Sequence, residues 1–220
     1  MARGRGPKVA GATPAPPVDE AIEPEAREPR PERPSRRQAG APVCPAGTEP
    51  RGGPPPEDHE FSCVRRNDDG SAVLHGPFRR WNRRGVPIVE GSYREGKKHG
   101  TFVEYYDDGT KKSEASYRDG VYDGPWRTYY PDGQVKAEGR YRDGKKHGPA
   151  RFYHPNGRLA AESTYREDLR VGRSVNYAPD GTLESEGSYE RGLKEGLWRE
   201  RDDAGRLVER TYHAGRRTTP

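Results

Sequence analysis

Apolar and polar positions alternate with period two in short stretches of the second half of the chain. In Val135-Lys136-Ala137-Glu138-Gly139-Arg140-Tyr141 the odd positions are apolar or small and the even positions are charged. That pattern is a strand with one dry face and one wet face. Tight-turn signals precede such stretches at Pro131-Asp132-Gly133, Pro155-Asn156-Gly157 and Pro179-Asp180-Gly181. Asp-Gly and Asn-Gly supply the positive φ angles that hairpin turns require. A second set of turns is marked by Asp119-Gly120 and Asp143-Gly144. The pattern predicts short strands joined by two kinds of turn. Two registers are compatible with it. A two-residue Asp-Gly loop places Arg127 opposite Glu138 and Trp126 opposite Gly139. A type I turn with Pro131 at its second position and a glycine bulge shifts the pairing by one.

The strands recur on a 24-residue period. Gly76, Gly100, Gly124, Gly148, Gly172 and Gly196 stand at equal intervals of 24, as do Tyr93, Tyr117, Tyr141, Tyr165 and Tyr189. Tyr212 closes the tyrosine series one residue early, and Glu90, Glu114, Glu138, Glu162 and Glu186 form another column. Two residues after each repeat glycine stand Phe78, Phe102, Trp126, Ala150, Ser174 and Trp198; five after, Trp81, Tyr105, Tyr129, Tyr153, Tyr177 and Arg201. One hairpin is marginal alone. Six stacked hairpins bury a continuous aromatic strip, and stability becomes a sum of units and their interfaces.

Composition sharpens this picture. Leu, Ile, Val and Phe number 26 of 220 residues, too few for the buried parallel strands of a large α/β enzyme. No apolar run approaches the length of a membrane-spanning helix. The first 60 residues hold 14 of the 22 prolines and none of the 20 aromatics. Such a segment has nothing to bury, and residues 1–43 read as a disordered Pro/Arg/Glu-rich arm. Residues 44–75 read as an N-terminal cap framed by Cys44 and Cys63, residues 76–215 as six repeats, and 216–220 as a tail. The start, Met-Ala-Arg-Gly-Arg-Gly-Pro-Lys, carries charge without a following apolar stretch, which reads as a cytoplasmic chain. An exported chain whose start lies upstream is the alternative.

The units resemble the MORN-repeat-variant family, whose pattern reappears as Gly124-Pro125-Trp126-Arg127-Thr128-Tyr129-Tyr130-Pro131-Asp132-Gly133 and on to Tyr141 and Gly144-Lys145-Lys146-His147-Gly148. The resemblance implies an elongated, twisted antiparallel sheet of hairpins and a non-enzymatic binding or scaffold role. Bacterial proteins of this type include some grouped as YwqK-type antitoxins, and related eukaryotic repeats are associated with membrane surfaces and protein partners. The family's bacterial members also look similar around Cys44 and Cys63, with Cys-Pro-x-Gly-Thr and a second cysteine before the first unit. Two cysteines framing a loop before a repeat array suit a disulfide-closed cap; two free thiols in a reducing cytosol are the other reading. Ala150, Ser174 and Asp168 depart from the pattern, which marks residues 166–175 as the weakest junction.

Candidate chemistry is sparse. His75, His99 and His147 each precede a repeat glycine, so they read as repeat positions and not metal ligands. The glutamate column reads as structural pairing to Lys and Arg, because catalytic carboxylates need unlike surroundings and a repeat makes them alike. No nucleotide, zinc-protease or nucleophile-elbow motif is present, and no cofactor or metal is expected. Residues 61–220 carry 31 Lys/Arg against 25 Asp/Glu, interspersed, which speaks against a nucleic-acid stripe. The reading is an all-β, non-catalytic repeat module that binds another protein, in one form antitoxin-like. Attachment to an anionic membrane or cell-envelope surface is the alternative.

Overall fold

The computed structural model describes residues 42–218. The proline-rich arm expected over 1–43 lies outside them except for its last two residues. Among the described residues there is no helix, and so none long and apolar enough to cross a membrane. The chain folds as one open antiparallel sheet, strand following strand in chain order. β1 (Glu49–Gly52) and β2 (Glu60–Arg66) open it, and β3 (Ala72–Trp81) and β4 (Pro87–Arg94) form the first repeat hairpin. β5 (Lys97–Lys98), β6 (Gly100–Tyr105) and β7 (Lys111–Arg118) form the second. β8 (Val121–Tyr129) and β9 (Val135–Arg142) form the third; β10 (Lys145–Lys146), β11 (Gly148–Tyr153) and β12 (Leu159–Arg166) the fourth. β13 (Leu169–Tyr177) and β14 (Leu183–Glu190) are the fifth, and β15 (Leu193–Arg201) and β16 (Leu207–His213) the sixth. β17 (Arg216–Thr218) pairs with β16, so three of the residues expected as a tail belong to the sheet. β5 and β6 are one strand interrupted at His99, whose N–H donates back to the Ser92 carbonyl at 2.9 Å; His147 does the same to Arg140 at 3.0 Å between β10 and β11.

Two turn types alternate. Units are joined by two-residue turns such as Asp119-Gly120, with φ of 51° and 90° and Arg118 paired to Val121. Positive φ at both central residues defines a type I′ turn, whose twist matches that of the strands. Within a unit the turn is longer. The Gly133 N–H donates to the Tyr130 carbonyl at 2.9 Å, the Tyr130 N–H to the Gln134 carbonyl at 2.8 Å, and φ is positive at Gly133 but not at Pro131 or Asp132. This is the type I turn with a glycine bulge. Yet Arg127 faces Glu138 and Trp126 faces Gly139, the pairing of the shorter loop, because a second bulge between Thr128 and Tyr129 restores it. Both alternatives left open by the sequence are therefore present in one hairpin.

The second bulge recurs in units one to five, at Arg80/Trp81, Glu104/Tyr105, Phe152/Tyr153 and Asn176/Tyr177. The sixth hairpin has none. Its second strand is thus one residue shorter, which is why Tyr212 comes one residue early and still faces Gly196. The stretch 166–175 is not a break: Arg166 pairs with Leu169, and Glu167 and Asp168 adopt φ of 51° and 67° in the usual turn. The Asp168 carboxylate takes up the Lys146 N–H of β10, 22 residues away, at 2.8 Å, and Asp is among the residues that enter this conformation at least cost.

The cap is part of the sheet. β2 lies against β3, with Phe61, Cys63 and Trp81 buried together against Cys44. Cys44 and Cys63 are joined in a disulfide with Cα atoms 5.6 Å apart.

Candidate interaction faces of the sheet

The period-two alternation gives the sheet two faces with different chemistry. One is aromatic. Ring centroids run Phe78–Tyr93 5.4 Å, Tyr93–Phe102 5.4 Å, Phe102–Tyr117 5.3 Å, Tyr117–Tyr122 4.4 Å and Tyr122–Tyr141 4.9 Å. Large rings alternate with residues that leave them room: a Cβ on Gly91 would lie 2.5 Å from the Phe102 ring, and one on Gly187 2.2 Å from Trp198. Trp126 turns instead onto Gly139 of its own hairpin, since the corresponding place on the preceding strand is filled by Ala115. The strip then stops. Ala150, Ser163 and Ser174 are buried in its place, with the two serine hydroxyls bonded at 2.7 Å. It resumes at Tyr189–Trp198–Tyr212. The expected continuous strip is therefore two clusters, and Trp81 belongs to neither because it packs in the cap.

The sequence reading missed one column on this face. Two residues before four of the six repeat glycines, Lys98, Lys146, Arg170 and Lys194 lie over Tyr117, Tyr165, Tyr189 and Tyr212 at 4.6–5.4 Å. In the third unit Tyr122 takes the same place and stacks on Tyr141. The 24-residue spacing carried that signal. Charge alone gave no reason to expect cations over rings, where the π face attracts them.

The other face carries ion pairs. Pairings run across the sheet as Arg79–Glu90–Val103–Glu114–Arg127–Glu138–Arg151–Glu162–Val175–Glu186–Arg199. Nε donates to carboxylate at 2.9 Å in Arg127–Glu138 and 2.7 Å in Arg151–Glu162, and Arg173 and Arg199 both hold Glu186. Tyr105, Tyr129 and Tyr153 donate their hydroxyls to Glu90, Glu114 and Glu138 of the preceding unit, at 2.8, 2.6 and 3.1 Å. The Arg127 guanidinium holds the Glu138 carboxyl below its ordinary range, as Arg173 does Glu186. Burial opposes ionisation of Glu114, but the Tyr129 hydroxyl and Lys111 ammonium outweigh it and lower its pKa. Burial and Glu114 push Tyr129 up to about 12. These three glutamates shift the same way. A general acid and base need pKa values driven apart, so this row is suited to holding strands in register.

The histidines serve the turns. His75 Nδ1 lies 2.9 Å from Glu95, and His99 Nδ1 3.5 Å from Asp119, each the first residue of a type I′ turn.

These units have known counterparts. Residues 98–119, 122–143 and 146–167 each match the model of the MORN repeat variant. The matched stretches cover the middle of the array, and the flanking units share their glycine and tyrosine columns. No curated protein matches the chain. MORN-type units are in general modules that bind proteins or lipids, a class without catalytic machinery of its own.

Proposed function

We propose that the chain is a non-enzymatic binding module that holds a partner protein on its open sheet. The observation that carries this reading is the row of arginines and glutamates that pair across the ion-pair face, beside a group of arginines in the third and fourth units that find no such partner. A local concentration of unpaired like charge favours a particular partner over diffuse attraction. Capping of a toxin partner, the role attached to the bacterial proteins the array resembles, is one form of such binding. An adjacent toxin-like reading frame would support that form. The Cys44–Cys63 bond supports an oxidising compartment for the module.

Gel filtration of the protein from its native source tests the proposal. The expected result is elution in a complex with another protein, well above the mass of one chain. Elution as the bare chain, or recovery only with membrane lipid, contradicts it.

A further inference from the structure

The cations at the type I′ end of the ion-pair face form a ladder that stops half-way along the array. Arg94 reaches the turn residue 25 positions on, Asp119, at 2.7 Å, and Arg118 reaches Asp143 at 3.1 Å. The next rung would join Arg142 to Glu167. Glu167 is held instead by Lys145 at 3.0 Å, and Arg142 stands directly opposite that same lysine where β9 meets β10. The rung after would join Arg166 to residue 191, which is Arg191. Like charges facing each other weaken a sheet. Arg140 lies two residues before Arg142 on the same face of β9. Among the described residues, Arg140, Arg142, Arg166 and Arg191 make no side-chain hydrogen bond or ion pair. Over these two units the face carries Arg127, Lys136, Arg140, Arg142, Arg151 and Arg166 against Asp123, Glu138 and Glu162, and Asp123 is held by Arg118.

Beside this group lies a shallow recess of about 180 Å³, lined by Pro125, Arg127, Glu138, Arg140, Pro149 and Arg151. Pro125 and Pro149 stand one hairpin apart, about 10 Å, and form its apolar walls.

Resting on the reading of the chain as a protein-binding module, we infer that this group of arginines docks an acidic, extended segment of the partner. Arg140 and Arg142 project from one strand about 7 Å apart, the spacing of every second side chain in an extended peptide. Guanidinium groups grip carboxylates through paired N–H donors, and the proline walls take the peptide's aliphatic parts. Arg140, Arg142 and Arg166 lie within the third and fourth units, beside the paired Arg127 and Arg151. A nucleic-acid backbone or an anionic bilayer calls for a longer cationic stripe.

The test is fluorescence anisotropy with a fluorescein-labelled deca-glutamate peptide at about 150 mM salt. Replacing Arg140, Arg142 and Arg166 together by Gln weakens binding about tenfold or more. Replacing the exposed Arg51, Arg216 and Arg217 by Gln removes the same charge from the two edge strands and changes affinity less than about twofold. Thermal melts of both triple variants match the wild type, and the single variant Arg140→Gln provides a milder check on folding. Equal weakening by both triples, or no peptide binding, overturns this inference and leaves the complex from the native source standing. Retention on phosphatidylserine vesicles or duplex DNA that the first triple abolishes, with no peptide binding, overturns both this inference and the protein-binding reading.

Discussion

Gly187 has no side chain where the Trp198 indole lies, and a Cβ there would sit 2.2 Å from the ring. Because Trp198 is 1% exposed, it has little freedom to move aside. Gly187→Ala is therefore expected to cost about 1–3 kcal/mol in urea unfolding. Gly53→Ala, where the nearest atom is 3.9 Å away, serves as the control; equal effects of the two would contradict the ring-on-glycine packing. The glutamates give a pH signature. The carboxyls of Asp119, Glu138 and Glu186 are lowered chiefly by hydrogen bonds from Arg94, Arg127 and Arg173. Their stabilisation is complete above the unfolded carboxylate value near pH 4 and is lost as pH falls through the lower folded values. The melting temperature should fall below about pH 4, and Glu138→Gln should flatten that fall. A Glu138→Gln profile parallel to the wild type contradicts the assignment. The glutamate column and its pairing to basic residues were legible in the sequence. The tyrosine hydroxyls were not, since Tyr153 reaches Glu138 from the next hairpin, 15 residues away.

At the scale of the element, the hairpin reconciles two constraints the sequence presents as rivals. The Pro-Asp-Gly tip demands a type I turn with a glycine bulge, while the Arg–Glu and ring–glycine pairs demand the other register. A second bulge satisfies both, and period-two reasoning has no signal for it. Its loss in unit six was already written in the early Tyr212, a one-residue offset that makes sense only once the bulges are seen. The fourth inter-unit turn, Glu167-Asp168, shows a compensation of another kind. Asp168→Ala, which keeps the left-handed strain and removes the bond to Lys146, is expected to cost about 1 kcal/mol. Asp168→Gly loses that bond and relieves the strain, so it should be close to neutral by thermal melt. A glycine variant as damaged as the alanine variant would show that the side-chain bond alone matters. In the cap, thiol titration of protein from its native source should find no free thiol before reduction. Reduction should cost about 3 kcal/mol, given the 19-residue separation of Cys44 and Cys63. Two free thiols in unreduced native protein contradict the bond.

Over the whole molecule, the fold was legible because one unit repeats. Columns in phase over six units predicted strands, turns and their order, and the resemblance supplied the single-sheet arrangement. The arginine group was less legible for the same reason. A repeat draws attention to what recurs, whereas this feature is a failure to recur, visible only when Arg142 and Arg166 are set against the partners that Arg94 and Arg118 find. The proposed function makes the sheet a platform for another protein, with the ion-pair face as its working side. Photo-crosslinking in native cells, with a benzophenone amino acid at Pro149 on that face or at Tyr165 on the aromatic face, tests this most directly. The expected result is a discrete protein adduct from position 149 and none from 165. An adduct from 165 alone, or from neither position, would contradict it.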